Sequence, residues 1–154
     1  PKKDNGYIKY DYLCATTLVY FFLDLLSQKI KTKINISDYL IYVLLATVCN
    51  IIPIRKLNRL IAISAIRNFE INKNLAFKEL FNLNKKKNKV NISDLGYLIG
   101  PILNSGGRLG RSNYASELLS SDNLETVNIK SNELIELNNQ RKKFESSVID
   151  EINF

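Results

Sequence analysis

The sequence predicts a mainly α chain. Apolar residues recur at helical spacing, candidate helix caps precede several of these runs, and proline is scarce, with three in 154 residues. The opening Pro1–Asp11 is polar and predicted irregular. Tyr12–Gln28 reads as a mostly buried helix, followed by a charged connector at Lys29–Lys33. Ser37 is a candidate N-cap before Asp38, because its hydroxyl oxygen can accept from an orphan amide of a first turn. The apolar run Tyr39–Ile52 follows, and its β-branched residues leave a strand open over its second half. Pro53 ends the run, since proline removes a helix hydrogen bond.

Leu57–Phe69 is amphipathic, with Leu57, Leu60, Ile61, Ser64 and Ile66 on one side and Arg59, Arg67 and Asn68 among its polar positions. A short helix is expected over Leu75–Phe81 and a solvated basic loop over Lys85–Lys89. Ser93 is a second candidate N-cap, for a helix over Asp94–Leu103. Asn104–Gly110 then holds three glycines in five residues, which predicts a tight turn of close backbone approach. Ser112–Ser120 is a short helix. From Asn123 to the end one long helix is expected, with a narrow apolar stripe of Leu134, Leu137, Phe144, Val148 and Ile152. Such a stripe suits a helix that connects two bodies. No internal repeat or low-complexity tract is visible.

The chain contains no histidine. That removes the commonest general base, the commonest metal ligand and the usual partner of a Ser or Cys nucleophile. A hydrolytic centre built within it would have to run on carboxylates and amines. Cys14 and Cys49 fit no zinc spacing and are expected to be inert core thiols. No secretory signal is visible. The apolar run Leu13–Leu26 carries Asp24, and the run Tyr39–Ile54 is interrupted at Pro53; both are too short to span a bilayer. A soluble, cytoplasmic protein with no membrane partner is expected. A chain that opens on Pro1 and contains no Met is expected to be a piece of a longer protein.

The net charge of +7 is unevenly spread. Residues 1–110 carry 17 Lys/Arg against 7 Asp/Glu, net +10, while residues 111–154 carry 5 against 8, net −3. A basic body of this kind can attract a polyanion through phosphate contacts, or can simply be a solvated lysine-rich surface.

Two segments could carry chemistry. Asn104, Gly106, Gly107 and Arg108 could cradle a phosphate, with glycine amides as donors and Arg108 as a bidentate fork. A helix C-cap, with Arg108 in an ion pair, would use the same residues. In Ala46-Thr47-Val48-Cys49-Asn50-Ile51-Ile52-Pro53, Thr47 and Asn50 are polar groups inside an apolar run, and buried polar groups need partners. They serve either as local caps before Pro53 or as the edge of a polar site.

These two segments resemble the RecJ family of the DHH phosphoesterases. That family has a sequence of the type Gly-Thr-Val-Ala-Asp-Val-Val-Pro followed by Asn-Arg, where this chain has residues 46–53 and then Asn58-Arg59. It also has Gly-Pro-Arg-x-Asn-Ala-x-Gly-Arg-Leu/Met-Gly, where this chain has Gly100-Pro101-Ile102-Leu103-Asn104-Ser105-Gly106-Gly107-Arg108-Leu109-Gly110. Pro1-Lys2-Lys3 and Leu13-Cys14-Ala15 resemble the family's segment just after its Asp-His-His motif. Glu136-Leu137-Asn138-Asn139-Gln140-Arg141 resembles the family's long connecting helix.

The resemblance implies the C-terminal helical part of an α/β DHH phosphoesterase domain over residues 1–122. Residues 123–154 would be a long connecting helix toward a further domain of the DHHA1 type. It implies a Mn²⁺- or Mg²⁺-dependent exonuclease that degrades single-stranded DNA from the 5′ end in repair and recombination, with repair proteins as partners. Arg108 would then sit near the DNA phosphate. The resemblance also places Asn50 where the family has an Asp metal ligand, and Ile102 where it has an Arg. An amide oxygen is a weaker ligand for a hard cation than a carboxylate. The upstream metal motifs and the Gly-Gly-His domain are missing. The chain alone is therefore expected to bind no metal and to be inactive. A degenerate, non-catalytic DHH-like scaffold that binds DNA or a protein is the alternative, and an enzyme of small phosphodiesters is a third, which the long tail helix disfavours.

Overall fold

The computed structural model describes residues 10–86, 89–108 and 110–152, with the backbone alone for Arg108. Most of the opening predicted irregular, the middle of the predicted basic loop, the Arg108 side chain, Leu109 and the last two residues lie outside the described residues. Among the described residues the regular elements are helices and no strand occurs. They divide into two compact units, residues 1–69 with 90–96 and residues 70–89 with 97–154.

In the first unit, α1 spans Ala15–Ile30, α2 Leu40–Cys49 and α3 Lys56–Asn68. The β-branched second half of the apolar run is thus helical. Leu40, Ile41, Val43, Leu44, Leu45 and Thr47 of α2 are buried, and α3 turns Asn58, Ile61, Ala62 and Ala65 inward. Leu60, on the same apolar side as Ile61 in the sequence pattern, is exposed. The small alanines beside Ile61 let α2 and α3 pack closely.

The expected buried helix at Tyr12–Gln28 needs correction. It starts at Ala15, after the buried residues Tyr12–Cys14, and Thr17 is its one fully buried residue. Leu18, Val19, Phe22 and Leu25 are exposed. A helix that is apolar all round presents more apolar surface than the elements beside it can cover. Its last turn also absorbs the start of the expected connector, and Lys31 closes it in a left-handed conformation.

Both serine caps are displaced by asparagines two residues earlier. Asn35 accepts from the Ser37 amide at the 3₁₀ turn Ile36–Tyr39, and Ser37 donates its hydroxyl to Asn35 Oδ1. Asn91 accepts from the Asp94 amide at 3.0 Å while Asp94 Oδ2 accepts from the Asn91 amide at 2.9 Å. This reciprocal capping box satisfies two orphan donors at once, which a lone Ser93 could not do. It opens α5, Ile92–Asp94, which runs through a π-helical segment, Leu95–Ile99, into α6, Gly100–Arg108. Pro101 has no amide to donate and its ring crowds the carbonyl four residues back, so the wider π turn just before it relieves the clash.

The second unit is built on α8, Leu124–Ile152, with α4, Leu75–Leu83, and α7, Tyr114–Ser120, packing on it beside α6. Asn74 caps α4 through the Phe77 amide, and Ala76, Phe77, Leu80 and Phe81 are buried. On α8 the buried positions are Val127, Ser131, Leu134 and Asn138, at helical spacing. The expected stripe is buried only at Leu134: Phe144, Val148 and Ile152 are exposed, because the neighbouring helices cover only the first half of α8. No helix among the described residues is long and apolar enough to cross a membrane.

Candidate nucleic-acid interface

In the first unit the site is the loop from Asn50 to Lys56. The Ile51 amide donates to the Val48 carbonyl and the Ile52 amide to the Thr47 carbonyl, each at 3.0 Å. These two bonds form a Schellman closure of α2, whose left-handed position is Ile51 at φ +53°. Asn50 is exposed, and its Nδ2 donates to the Ala46 carbonyl at 2.7 Å. Thr47 Oγ1 donates to the Val43 carbonyl at 2.7 Å and lies 3.7 Å from Cys14 Sγ. Both polar side chains therefore satisfy the helix they sit on.

Cys14 is likewise paired. Burial pushes its thiol up, but hydrogen bonds with Thr17 and Thr47 and with nearby amides outweigh this and leave it below the ordinary value. Burial alone acts on Cys49 and raises it.

Beyond Pro53 lies a grouping that the sequence reading missed. The Arg55 guanidinium and the Lys56 ammonium each lie 5.7 Å from the centre of the Tyr12 ring, a cation–π distance. Tyr12 is fixed below them, since Asn58 Nδ2 donates to its carbonyl at 2.8 Å and to the Pro53 carbonyl at 3.0 Å. Asn58 is itself buried, and its Oδ1 has no hydrogen-bond partner among the described residues. Asp11 reaches Arg55 only at 3.9 Å. Arg59 is exposed one turn along α3. Three cations within six residues of Pro53 were a visible signal. The ring that gathers two of them lies far away in sequence.

In the second unit, the predicted turn at Asn104–Gly110 is helical through Arg108, and the reversal falls at Gly110, φ +76°. The Arg111 amide closes it on the Gly106 carbonyl at 2.8 Å. A Cβ on Gly106 would lie 2.7 Å from the Arg111 carbonyl oxygen and 3.1 Å from Leu134 Cδ2, so this glycine permits close packing on α8. The helix commits the Gly106 and Gly107 amides to carbonyls one turn back, so they do not form a nest of free donors. Gly107 faces open space, Asn104 is exposed, and Ser105 is buried with its Oγ 2.6 Å from the Ile102 carbonyl and 3.0 Å from the Leu134 carbonyl. Ile102 is a core residue.

The chain after the reversal is held by Tyr114. Lys130 Nζ sits 3.5 Å from its ring centre, and Arg111 donates to its hydroxyl at 2.9 Å. Lys130 also binds Glu117 at 2.9 Å. That hydrogen bond holds the Glu117 carboxyl below its ordinary range and raises Lys130. Asn50 belongs to the first unit and Asn104, Gly106, Gly107 and Arg108 to the second.

Among the described residues there is no group of three or more His, Cys, Asp or Glu that could hold a metal ion. Asn50 offers a neutral amide oxygen, a weaker donor to a hard cation than a carboxylate.

No family model matches the chain. It is 32% identical over 116 residues to the single-stranded-DNA-specific exonuclease RecJ of Escherichia coli strain K12, which covers 74% of this chain and 20% of that protein. The RecJ of Salmonella typhimurium is 31% identical over 116 residues, 74% of this chain and 20% of that one. The RecJ of Haemophilus influenzae is 30% identical over 122 residues, 77% of this chain and 21% of that one. The chain thus spans about a fifth of the length of the curated relatives it matches. In fold it is similar to RecJ from Thermus thermophilus in complex with Mn²⁺, with TM-score 0.73 and 18% identity over 86% of this chain and 20% of that one. The Mg²⁺ complex gives the same TM-score over 21% of its chain.

Proposed function

We propose, from the premise that over the matched segment this chain belongs to the RecJ family, that it is the nucleic-acid-handling part of a 5′-to-3′ single-stranded-DNA exonuclease of repair and recombination. The observation that carries the reading is the match across three quarters of the chain to proteins named single-stranded-DNA-specific exonucleases; the polarity and the repair role rest on the resemblance. Residues 1–122 would be the C-terminal part of a DHH domain and residues 123–154 a connecting helix. The longer protein would work in the cytoplasm with Mn²⁺ or Mg²⁺ and with repair-protein partners. The resemblance puts most of its metal ligands upstream of this chain, with Asn50 at the position of one of them.

What this chain contributes is charge and shape. Arg55 and Lys56, gathered over Tyr12, and the exposed Arg59 would offer cations to a strand's phosphates, and Asn104 and Arg108 are separate candidates for phosphate contact in the second unit. A second reading, a non-catalytic DHH-like scaffold, is favoured by Asn50 and by Ile102, which is 2% exposed and holds the core in place of a cation.

The test is binding of a labelled single-stranded oligonucleotide across a salt series, with and without Mn²⁺. Neutralising three phosphates gives a log–log salt slope of about −2 on single-stranded DNA. Arg108→Ala should cost roughly ten- to a hundredfold in affinity, the value of a lost charge-assisted bond. The chain alone should leave the strand intact. EDTA-sensitive degradation by it would overturn this division of labour, and salt-independent binding would overturn the interface.

A further inference from the structure

The closure of α2 carries two costs that nothing among the described residues repays. Ile51 is β-branched yet adopts a left-handed backbone, φ +53°, where glycine or asparagine normally sits. Its side chain is also 91% exposed, so its apolar surface gains no burial in exchange. Lys56, five residues on, is left-handed as well, at φ +47°, so the loop is strained at both ends. Between and beyond these positions stand Ile54, 38% exposed, and the cations Arg55, Lys56 and Arg59. A ligand that repays Ile51 must offer apolar surface, and one that suits its neighbours must be an anion.

A single nucleic-acid strand offers both, because its base faces are unpaired and its phosphates are charged. We propose that Ile51 is a base-contacting residue for single-stranded DNA, held out by the strained turn beside the phosphate-facing cations; this rests on the function proposed above. A duplex hides its base faces, so the contact would favour single strands. The phosphates would set the position of the strand and Ile51 would pack on a base face without reading its edge, so the preference would be for strandedness and not for sequence.

The whole chain can be assayed with three probes: a short oligothymidylate, a strand of equal length made of abasic sugars, and a duplex. Ile51→Gly should raise the melting temperature, because the left-handed strain is released. It should weaken oligothymidylate binding about fivefold, the effect of losing a partly buried isoleucine contact. Binding of the abasic strand and the salt slope should not change, since no charge is removed. Ile51→Asn keeps a side chain that tolerates the left-handed turn, and it should lose the same affinity.

An equal loss on the oligothymidylate and the abasic strand would overturn the proposal, because it would mean the cations had moved. Unchanged binding in both variants, with steep salt dependence in the wild type, would overturn the role of Ile51 and leave the interface standing. A wild type that binds none of the probes would overturn both.

Discussion

Helices α2 and α6 both end by reversing through a left-handed residue, and in both an amide reaches back to a carbonyl five residues earlier. The Ile52 amide binds the Thr47 carbonyl, and the Arg111 amide binds the Gly106 carbonyl. The left-handed residue is Gly110 in one and Ile51 in the other. At α6 two glycines answer a geometric need: Gly110 supplies the conformation and Gly106 the close approach to α8. At α2 the conformation is the same and the residue is wrong for it. A shared backbone motif therefore does not imply a shared purpose. One closure serves packing, while the other holds an apolar side chain in solvent beside a row of cations.

The largest effect that would sharpen this contrast is expected at Gly106. A methyl group there would meet the Arg111 carbonyl oxygen at 2.7 Å, and that backbone atom can move only if the reversal opens. Gly106→Ala should therefore destabilise the chain by about 2–3 kcal/mol, as overpacking against fixed atoms does. Urea unfolding measures this, and an unchanged midpoint would mean the closure of α6 is loose.

Gly110→Ala comes next. Open space surrounds Gly110, so only the left-handed backbone opposes the new Cβ, at about 1 kcal/mol. The sign is opposite to that expected for Ile51→Gly, which makes the two substitutions a matched pair on one motif. If both shift stability the same way, the two closures do not share the left-handed demand described.

The helical character was legible because apolar spacing and caps agreed along the chain. Finer features were not. Ser37 and Ser93 are plausible caps, but Asn35 and Asn91 are equally good by residue type; Asp94 opposite Asn91 decides the second case, and in the first Ser37 itself donates to Asn35. The exposure of α1 was hidden because a helix apolar on every side gives no periodic signal of which side faces in. The glycine run read as a turn because glycine disfavours helix, whereas packing of Gly106 against Leu134 overrides that preference. At the interface, Asn50 was singled out as polar within an apolar run, while the joining of Arg55 and Lys56 over Tyr12 depends on a contact distant in sequence.

Gly107 gives the smallest effect and tests whether α6 belongs to the interface at all. It is helical and a Cβ there would meet nothing within 4 Å, so packing does not require glycine and the left-handed region is not used. On helix propensity alone, Gly107→Ala should stabilise the chain by about 0.8–1 kcal/mol. A glycine kept where alanine would be better has a use if a ligand's backbone approaches the helix closely at that point. The proposed phosphate contacts of Asn104 and Arg108 lie on either side of it in sequence. Gly107→Ala should then raise the melting temperature and weaken single-strand binding together, because the added methyl would hold a phosphate away from those side chains. Thermal melts and oligonucleotide titrations on the same preparation separate the outcomes. A more stable variant with undiminished affinity would remove Gly107 from the interface and leave the end of α6 as a packing element only.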